Sequence, residues 1–586
     1  MNFSEYKQHH SVELCVVGGG LSGLFAAVSA ARHGTKVLLM QDRPMLGGNA
    51  SSETRMWVRG AAGKENRETG LLQEAEMENI YRNPTMNYSL WDSVLYQLAA
   101  NEPNLTLLLN TSCLGCEMAG ERIASVTGWQ LNSYTFHTVE AKLFVDASGD
   151  SILAPLSGAK FRVGREDQQE FDEYAAPEAA DKCTMGSSVL IEARETDHPC
   201  TFIKPEWAYT YPDDESMYLK NHDIIGTGVN FWWIELGGEQ DTIRDAQAIN
   251  EELLRVAYGV WDHIKNQGDH GMENWELEWI GFLPGKRESR RYEGAYMLNQ
   301  RDLEEGHHFG DAVAFGGWTM DNHSPQGLRY MGYSSKHIKP VVPYEIPFRS
   351  LYSDSVPNLL FAGRNISATH MAMSSTRVMA TCAVIGQAVG TGAAVAIARD
   401  CMPADVADKH MAELQSLLLE DGCFIPGLLR QPTGLAKPQL PEEELSILTN
   451  GWERPHDGAA NTVVLPEGLT VDFTQPVKTL RLALDPDFSR ESISDDNRYQ
   501  KFAMRTHIDW PEKRVSMPAN LLRGCTIMAR ASDGTETLIP VENNRRVVLN
   551  IALPENTVQV TFTNVTAWNS DEVRVFSVDA ARGSTP

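Results

Sequence analysis

Val17-Gly18-Gly19-Gly20-Leu21-Ser22-Gly23 is the stretch that decides the fold of this 586-residue chain. It lies between a short apolar run, 12–17, and an alanine-rich helical pattern, so it predicts a strand, a glycine turn and a helix. Gly18 permits the tight turn, Gly20 lets the backbone approach a pyrophosphate, and Gly23 lets helix and strand pack closely. Because the N-terminus of such a helix binds phosphates through its N–H groups, the pattern predicts a dinucleotide site.

The second strand of this unit supports the prediction and departs from the usual pattern in one place. Gly34 is placed to end the helix, and 35–40 is a second apolar strand, so the unit closes within about 30 residues. An acidic residue usually ends that strand and binds the ribose hydroxyls, but Gln41 stands there and Asp42 follows it. Either Gln41 makes a neutral hydrogen bond to the ribose or Asp42 turns inward. A glycine-rich turn in an ordinary α/β protein is the competing interpretation of the glycines alone.

Three downstream features favour FAD over a nicotinamide cofactor. They are a segment with paired glycines at 43–53, an apolar strand ending in small and acidic residues at 143–150, and a strand at 358–367 followed by Gly386-Gln387-Ala388-Val389-Gly390 in an alanine-rich helix. Together with 286–291, they resemble the FAD-dependent oxidoreductase family, which has a glutathione-reductase-like FAD fold and includes flavoproteins related to heterodisulfide reductase. Many members are bacterial. The resemblance covers roughly 12–399 and implies a flavoprotein enzyme with bound FAD.

The resemblance also places the FAD-binding residues. They are Gly18, Gly20, Leu21, Ser22, Gly23, Gln41, Asp42, Arg43, Gly47, Gly48, Asn49, Ala50, Ser51, Asp146, Ala147, Gly149, Asp150, Gly363, Arg364, Ser375, Thr376, Arg377 and Thr381. Arg364 stands where most flavoproteins place an aspartate on the ribityl hydroxyls, so that contact does not carry over.

Two groups of residues are candidates for catalysis. In the loop 316–325, His323 is predicted to accept a substrate hydroxyl proton while Asp321 orients its ring, because alcohol or amine oxidation needs a base of near-neutral pKa. A capping or surface histidine explains the same residue equally well. Arg287 and Arg290 form the second group, since guanidinium forks suit carboxylate or phosphate recognition, although a solvated ion-pair face is the alternative.

Three functions remain open from these residues. The first is hydride transfer between flavin N5 and a small polar substrate, of which a carbohydrate or polyol-like alcohol is favoured because Trp57, Trp232, Trp233 and Trp318 could stack on sugar faces. Core packing explains these tryptophans equally well. The second is a flavin-dependent reductase of an unsaturated carboxylate, clamped by the two arginines and reloaded by an external donor. The third is a non-catalytic FAD-containing protein that binds carbohydrate.

Composition shifts predict an α/β fold with three parts. A Rossmann-like FAD-binding domain is expected from 1–160 and 340–436, with an inserted α+β substrate domain at 161–339. Within the insert, 230–236 alternates like a strand and 241–267 is helical. A C-terminal all-β sandwich at 437–586 follows, and its opening resembles galactose-binding-like modules.

Charge and cysteine content narrow the partners. A net charge of −27 argues against nucleic-acid binding, and the lack of an apolar run of about 18 residues argues against a membrane span, so a cytoplasmic protein is expected. Nine cysteines form no disulfide framework, and Cys113 and Cys116 are interpreted as two ordinary thiols. No metal site and no iron–sulfur cluster are expected. The expected partners are a small-molecule substrate, an unidentified electron donor or acceptor, and a second copy of the chain in a homo-oligomer.

Overall fold

The computed structural model describes residues 6–220, 222, 231–267, 270–488 and 516–582. They fall into two compact units, the first formed by residues up to 61 and by 85–411, the second by 62–84 and the described residues from 412 onward. The boundaries predicted at 160, 340 and 436 stay a prediction.

The strands of the first unit are β1 Lys7–Ser11, β2 Leu14–Val17, β3 Val37–Met40, β4 Leu105–Leu108, β5 Thr111–Ala119, β6 Arg122–Gln130, β7 Thr135–Glu140, β8 Leu143–Asp146, β9 Phe161–Val163, β10 Ser187–Ser188, β11 Ile191–Glu195, β12 Glu235–Leu236, β13 Trp275–Ile280, β14 Gly285–Lys286, β15 Arg290–Tyr292, β16 Ala312–Gly316, β17 Met320–His323, β18 Ser335–Ile338, β19 Tyr344–Pro347 and β20 Leu359–Phe361. Those of the second unit are β21 Ala436–Pro438, β22 Val463–Val464, β23 Thr470–Leu484, β24 Leu522–Ala531, β25 Glu536–Val541, β26 Val548–Ala567 and β27 Arg574–Ala580. The helices are α1 Leu21–Arg32, α2 Leu71–Arg82, α3 Tyr88–Ala100, α4 Leu153–Ser157, α5 Ala246–Asn266, α6 Gln300–Glu305, α7 His370–Thr376, α8 Met379–Ala398, α9 Pro403–Lys409, α10 Met411–Glu420 and α11 Glu442–Leu448.

A five-stranded parallel sheet in the order β20-β8-β2-β3-β4 is the centre of the first unit. The strands β20, β8, β2 and β3 are short, mainly apolar and fully buried, as expected for parallel strands covered on both faces, whereas the edge strand β4 is partly exposed. Val17 is paired with both Met40 and Asp146, and Asp146 is paired with Phe361. The carboxyl ends of four strands therefore meet at one edge, and this edge brings the predicted FAD segments together.

Helix α8 packs against α1 through glycines. A Cβ at Gly386 would lie 2.1 Å from the Ser22 carbonyl oxygen, and one at Gly390 would lie 2.1 Å from that of Ala26, so only glycine allows this approach. By length and apolar composition α8 alone among the described helices could cross a membrane, but 94% of that window is buried inside the protein. We therefore interpret α8 as a core helix.

Small sheets and α5 make up the inserted part, around one apolar cluster that includes Phe231, Trp233 and Trp261. The predicted strand at 230–236 is wrong for most of its length, and Asn230 lies outside the described residues. Ile234 N–H donates to the Phe231 carbonyl at 2.9 Å, so the chain turns there and only Glu235–Leu236 pairs as a strand.

The second unit contains a seven-stranded sheet in the order β22-β27-β23-β26-β24-β25, with β21 paired to β23. β23 and β26 are long strands that continue through bulges and change register within one pairing. The C-terminal β structure is confirmed, whereas the two-layer sandwich and its galactose-binding-like character stay predictions.

Candidate functional site

The glycine turn after β2 has the geometry that phosphate binding requires. Gly18 has a φ of +103°, and a Cβ there would lie 2.4 Å from the Ala147 carbonyl oxygen. A Cβ at Gly23 would lie 1.8 Å from the Gly18 carbonyl oxygen. Gly20 differs, since the nearest atom to its Cβ position is Gly48 Cα at 4.0 Å. Gly20 thus leaves an open cradle at the start of α1.

The N-terminus of α1, with Leu21 and Ser22 in its first turn, is suited to an anion. Among its described contacts no side chain caps the helix, and its first turn holds no acidic residue. The first N–H groups of a helix need acceptors, and a pyrophosphate supplies them.

Gln41 connects two loops of the site. Its buried side chain accepts a hydrogen bond from Gly19 N–H at 2.7 Å and donates one to the Met45 carbonyl at 3.0 Å. Asp42 does not turn inward: its side chain is 61% exposed and lies 3.6 Å from Arg43 Nε. Arg43 likewise lies among the acidic side chains Asp42 and Glu53. Of the two alternatives for the ribose, only Gln41 remains near the cofactor loops.

The paired-glycine segment turns sharply toward the inserted part. Gly47 and Gly48 have φ values of +102° and +59°, and the short 3₁₀ turn Gly48–Ala50 follows. Ser51 Oγ closes this turn by donating to the Gly48 carbonyl at 2.8 Å. Asn49 Nδ2 donates to the Lys286 carbonyl at 3.1 Å. Asn49 thereby joins the paired-glycine segment to 286–291.

Asp146, one of the predicted FAD contacts, has a side chain that is bound within the protein, and its contact with FAD stays a prediction. Its buried carboxylate accepts hydrogen bonds from Ser148 N–H at 2.9 Å, Leu153 N–H at 2.8 Å and Tyr292 O–H at 2.7 Å. Burial raises the pKa of this carboxyl group. Asp146 closes the turn after β8, because a buried carboxylate needs internal donors.

Arg364, the residue that replaces the usual aspartate, is paired within the protein. Asp150 accepts from Lys286 Nζ at 2.7 Å, Ser289 Oγ at 2.7 Å and Arg364 Nη2 at 3.1 Å. Burial alone would raise the pKa of Asp150, but Arg364 and Lys286 outweigh it and hold that pKa below its ordinary value. Gly149, at a φ of +76°, makes room for the guanidinium, since a Cβ there would lie 2.7 Å from Arg364 Cζ.

Buried polar atoms without a hydrogen-bond partner gather in the late segment. In the described part of the chain they include Arg364 Nε, Asn365 Oδ1, Thr376 Oγ1, Arg377 Nε and Thr381 Oγ1. Buried polar groups in proteins are nearly always satisfied, so these atoms indicate a polar ligand. With the open cradle at the α1 turn, this set fits the ribityl and flavin polar groups of FAD.

Ser375 is not part of this set. Its hydroxyl contacts Tyr344 Oη at 2.6 Å and donates to the Trp318 carbonyl at 2.6 Å. It therefore fastens α7 to the loop after β16, and its predicted cofactor contact is replaced by these bonds.

The family model described as FAD dependent oxidoreductase matches residues 13–418. The chain belongs to this family. FAD is therefore the cofactor of this oxidoreductase, and the predictions of an enzyme and of FAD are confirmed. A closer relation to heterodisulfide reductase stays a prediction.

Solved structures resemble this FAD-dependent oxidoreductase at low identity. A geranylgeranyl bacteriochlorophyll reductase-like protein from Thermoplasma acidophilum is 14% identical over 70% of this chain and 84% of its own, with a TM-score of 0.33. An anhydrotetracycline hydroxylase from Streptomyces rimosus is 11% identical over 70% of this chain and 67% of its own, with a TM-score of 0.31. A glycerol-3-phosphate dehydrogenase from Bacillus halodurans, complexed with FAD, is 13% identical over 33% of this chain and 43% of its own, with a TM-score of 0.20. No curated protein matches the chain. Similarity at this level leaves the substrate open.

The oxidoreductase carries a buried carboxylate–imidazole–carboxylate row in its inserted part. His323 Nδ1 lies 2.6 Å from Glu235 Oε2, and His323 Nε2 lies 3.1 Å from Asp321 Oδ2. The predicted contact between Asp321 and His323 is present, but both ring nitrogens are engaged and the more buried carboxylate, Glu235, is the closer partner. Sequence reasoning missed Glu235, although an acid inside an apolar and aromatic run is the signal of a buried charge.

Two arginines hold the two carboxylates of the row in their ionised form. Arg287 Nη1 lies 3.5 Å from Glu235 Oε2, and Arg377 Nη2 donates to Asp321 Oδ2 at 3.3 Å. Burial would raise the pKa of both carboxyl groups, but Arg287 and His323 keep the pKa of Glu235 below its ordinary value. His323 and Arg377 do the same for Asp321. Both carboxylates of the row are therefore held in their ionised form near neutral pH.

The predicted arginine clamp does not form. Arg287 donates to Ser188 Oγ at 2.7 Å and to the Trp232 carbonyl at 3.2 Å. Arg290 instead donates to the Asp150 carbonyl at 3.3 Å, with its guanidinium 5.5 Å from the Phe161 ring centre. The two guanidinium groups therefore bind different acceptors within the protein and do not form one clamp.

A second buried row, which sequence reasoning also missed, lies beside the first. His370 Nδ1 is 2.9 Å from Glu288 Oε2, and His370 Nε2 is 3.0 Å from Asn322 Oδ1. Arg291 pairs with Glu288 at 3.2 Å and with Glu166 at 2.9 Å. Asn322 is the chain neighbour of Asp321 and His323, so the two rows meet on β17.

Aromatic side chains and cysteines complete the site. Trp57 and Trp233 are buried, whereas Trp232 and Trp318 are partly exposed. The Trp232 ring lies 5.5 Å from that of His323.

Cys382 is buried, and burial raises its pKa to about 12, which agrees with a packing role.

Cys113 and Cys116 both lie on β5 as free thiols. Burial raises the pKa of Cys113 to about 12 and that of Cys116 to about 11. A thiol with a raised pKa is a poor nucleophile, so this arrangement favours two ordinary thiols.

Proposed function

We propose that this FAD-dependent oxidoreductase transfers a hydride between flavin N5 and a carbon of a small hydroxyl-bearing substrate of the carbohydrate or polyol class. Bound FAD supplies the two-electron acceptor. The observation that carries the proposal is the Glu235–His323–Asp321 row, because oxidation of an alcohol carbon also releases a hydroxyl proton that needs a base.

Each member of the row has a distinct role in this proposal. Glu235 accepts from the Nδ1 side of His323, which directs Nε2 toward Asp321. The Asp321 side chain is 15% exposed and that of His323 only 2%, so a substrate hydroxyl reaches Asp321 first. The hydroxyl proton then passes to the Asp321–His323 pair as the hydride leaves the same substrate, and Glu235 stabilises the charge on the imidazole ring.

The substrate class is supported by the surroundings of the row. Trp232 flanks His323, and Trp318 precedes Asp321 by three positions in the chain, with the Arg59 guanidinium 5.5 Å from its ring centre. Both tryptophans are partly exposed, so they can stack on the apolar face of a sugar ring. Trp57 and Trp233 are not proposed to stack on the substrate, because both are buried.

Reduction of an unsaturated carboxylate is the second candidate, and the geometry does not favour it. It depends on Arg287 and Arg290 acting together, whereas the two side chains bind different acceptors.

Anaerobic reduction of the bound flavin tests the proposal. The oxidised wild type is mixed with a panel of sugars and polyols, and bleaching of the flavin band identifies the substrate. Unsaturated carboxylates are mixed with the pre-reduced enzyme, where return of the flavin band would identify one of them as an electron acceptor. With that substrate, we expect Glu235→Gln and His323→Asn to slow flavin reduction by about 10²-fold or more, the usual size of an acid–base contribution. His308→Asn is the matched control, since His308 is an exposed histidine whose Nδ1 lies 2.8 Å from the buried carboxylate of Glu345, outside the row.

Two results would contradict the proposal. One is reduction of the flavin in His323→Asn at the wild-type rate. The other is a wild type that no hydroxyl compound bleaches but whose pre-reduced flavin is reoxidised by an unsaturated carboxylate.

A further inference from the structure

Four side chains in the inserted part converge on a single point. They are Asp214, His222, His263 and His270, and each offers a ligand atom within 4.8 Å of the other three. We propose that these four residues bind one Zn²⁺ ion in a structural site that is separate from the flavin chemistry. Neither the sequence motifs nor the family match assigns a metal to this place.

The spacing of the ligand atoms suits a tetrahedral ion. His263 Nε2 lies 3.2 Å from Asp214 Oδ1 and 3.2 Å from His270 Nε2, and His222 Nε2 lies 3.6 Å from Asp214 Oδ1. In a tetrahedral zinc site with bonds near 2.0–2.1 Å, neighbouring ligand atoms are about 3.3 Å apart. These three separations therefore need only small adjustments, and every other pair of ligand atoms in the cluster lies within 4.8 Å.

Backbone carbonyls set the tautomers of two of the rings. His263 Nδ1 lies 2.8 Å from the Tyr211 carbonyl oxygen, and His222 Nδ1 lies 2.8 Å from that of Lys220. A carbonyl can only accept, so both Nδ1 atoms carry protons and a neutral ring then presents its Nε2 lone pair toward Asp214. Lone pairs directed at a carboxylate repel one another unless a cation lies between them, and carbonyl-bound histidines are the usual outer shell of a zinc site.

The position of the four residues indicates a structural ion. His263 is buried in the last turn of α5, next to Trp261 and Ile264 of the apolar cluster. His270 follows α5, while Asp214 and His222 come from the segment before it. Four protein ligands leave no coordination position for a substrate, and histidine nitrogens with one carboxylate suit zinc.

Two partly buried ligands provide the variants for the test, because substitution of the fully buried His263 risks unfolding. Untagged wild type, His222→Gln and His270→Gln are loaded with FAD, equilibrated with zinc, desalted and analysed for metal by mass spectrometry. His198→Gln is the matched control: this histidine is in the same part of the chain, is 69% exposed and is not a member of the cluster. Zinc X-ray absorption, which the flavin does not disturb, reports the ligands.

We expect the wild type and His198→Gln to retain about one zinc ion per chain, and the two ligand variants to lose at least tenfold in affinity. The absorption edge of the wild type should show four nitrogen or oxygen ligands, and chelation should lower the melting temperature of the wild type and of His198→Gln but not of the ligand variants. A folded, FAD-loaded wild type that retains no more zinc than His222→Gln would overturn the proposal, as would a coordination shell dominated by water. In either of these cases, the cluster is a hydrogen-bonded network without a metal ion.

Discussion

Replacement of Gly386 by alanine should push helix α8 away from the N-terminal end of α1, where the FAD phosphates are expected to bind. The new Cβ would lie 2.1 Å from the Ser22 carbonyl oxygen and 2.7 Å from its carbonyl carbon, whereas real Cβ contacts do not fall below 3.0 Å. The two backbones must therefore move apart by about 1 Å. Overpacking of this kind costs about 1–3 kcal/mol, which lowers the melting temperature of a unit this large by roughly 1–6 °C.

A comparison with Gly390→Ala separates loss of packing from loss of cofactor binding. The Gly390 Cβ would meet the Ala26 carbonyl oxygen at the same 2.1 Å, but one turn further from the glycine loop. We expect similar losses of melting temperature for both variants and a weaker affinity for FAD in Gly386→Ala alone, because Ser22 is in the first turn of α1.

Thermal unfolding followed by flavin fluorescence measures both quantities. Gly310→Ala is the control, since a Cβ at this position would meet no atom within 4 Å and its backbone needs no positive φ. The reasoning is refuted if Gly386→Ala melts with the wild type and retains FAD equally well.

Three further predictions concern buried charges. Burial raises the pKa of Asp485 to about 6, so its ionised form destabilises the second unit above that pH. Asp485→Asn should therefore stabilise this unit by up to about 3 kcal/mol at pH 8 and give no gain near pH 4. Melting curves at both pH values measure the difference. Glu453 pairs with the buried guanidinium of Arg481, so Glu453→Gln should cost about 3–5 kcal/mol, measured by calorimetry of the second unit. The pKa of Asp150 is held below its ordinary value, so its carboxylate stabilises the fold above that ordinary pKa. Asp150→Asn should therefore have a lower melting temperature than the wild type at pH 7. The difference in melting temperature should narrow as the pH falls below about 4.

The central sheet could be predicted because its signals are local. An apolar run, a glycine turn and a helix occupy consecutive residues. The observed β2 and β3 begin and end within two residues of the predicted bounds, and α1 ends two residues before Gly34. The FAD segments could be predicted to lie together because the carboxyl ends of parallel strands meet at one edge of the sheet. Within these segments, the sequence does not show which polar side chains are used internally. Asp146 and Ser375 are satisfied by protein partners that come from elsewhere in the chain.

The carboxylate–imidazole–carboxylate row and the histidine cluster depend on contacts between distant residues, which no local pattern reports. Glu235 reaches His323 across 88 positions, and it does so because the Phe231 turn directs an acid from an apolar run into the interior. A carboxylate there cannot stay buried without a partner, so its presence in that run already requires a cation or an imidazole somewhere in the fold. The same argument applies to His263, which is buried beside an apolar cluster and whose ring is met by Asp214 and His270. Buried charges in apolar runs are therefore the sequence signal to follow, and a fold is needed only to identify the partner.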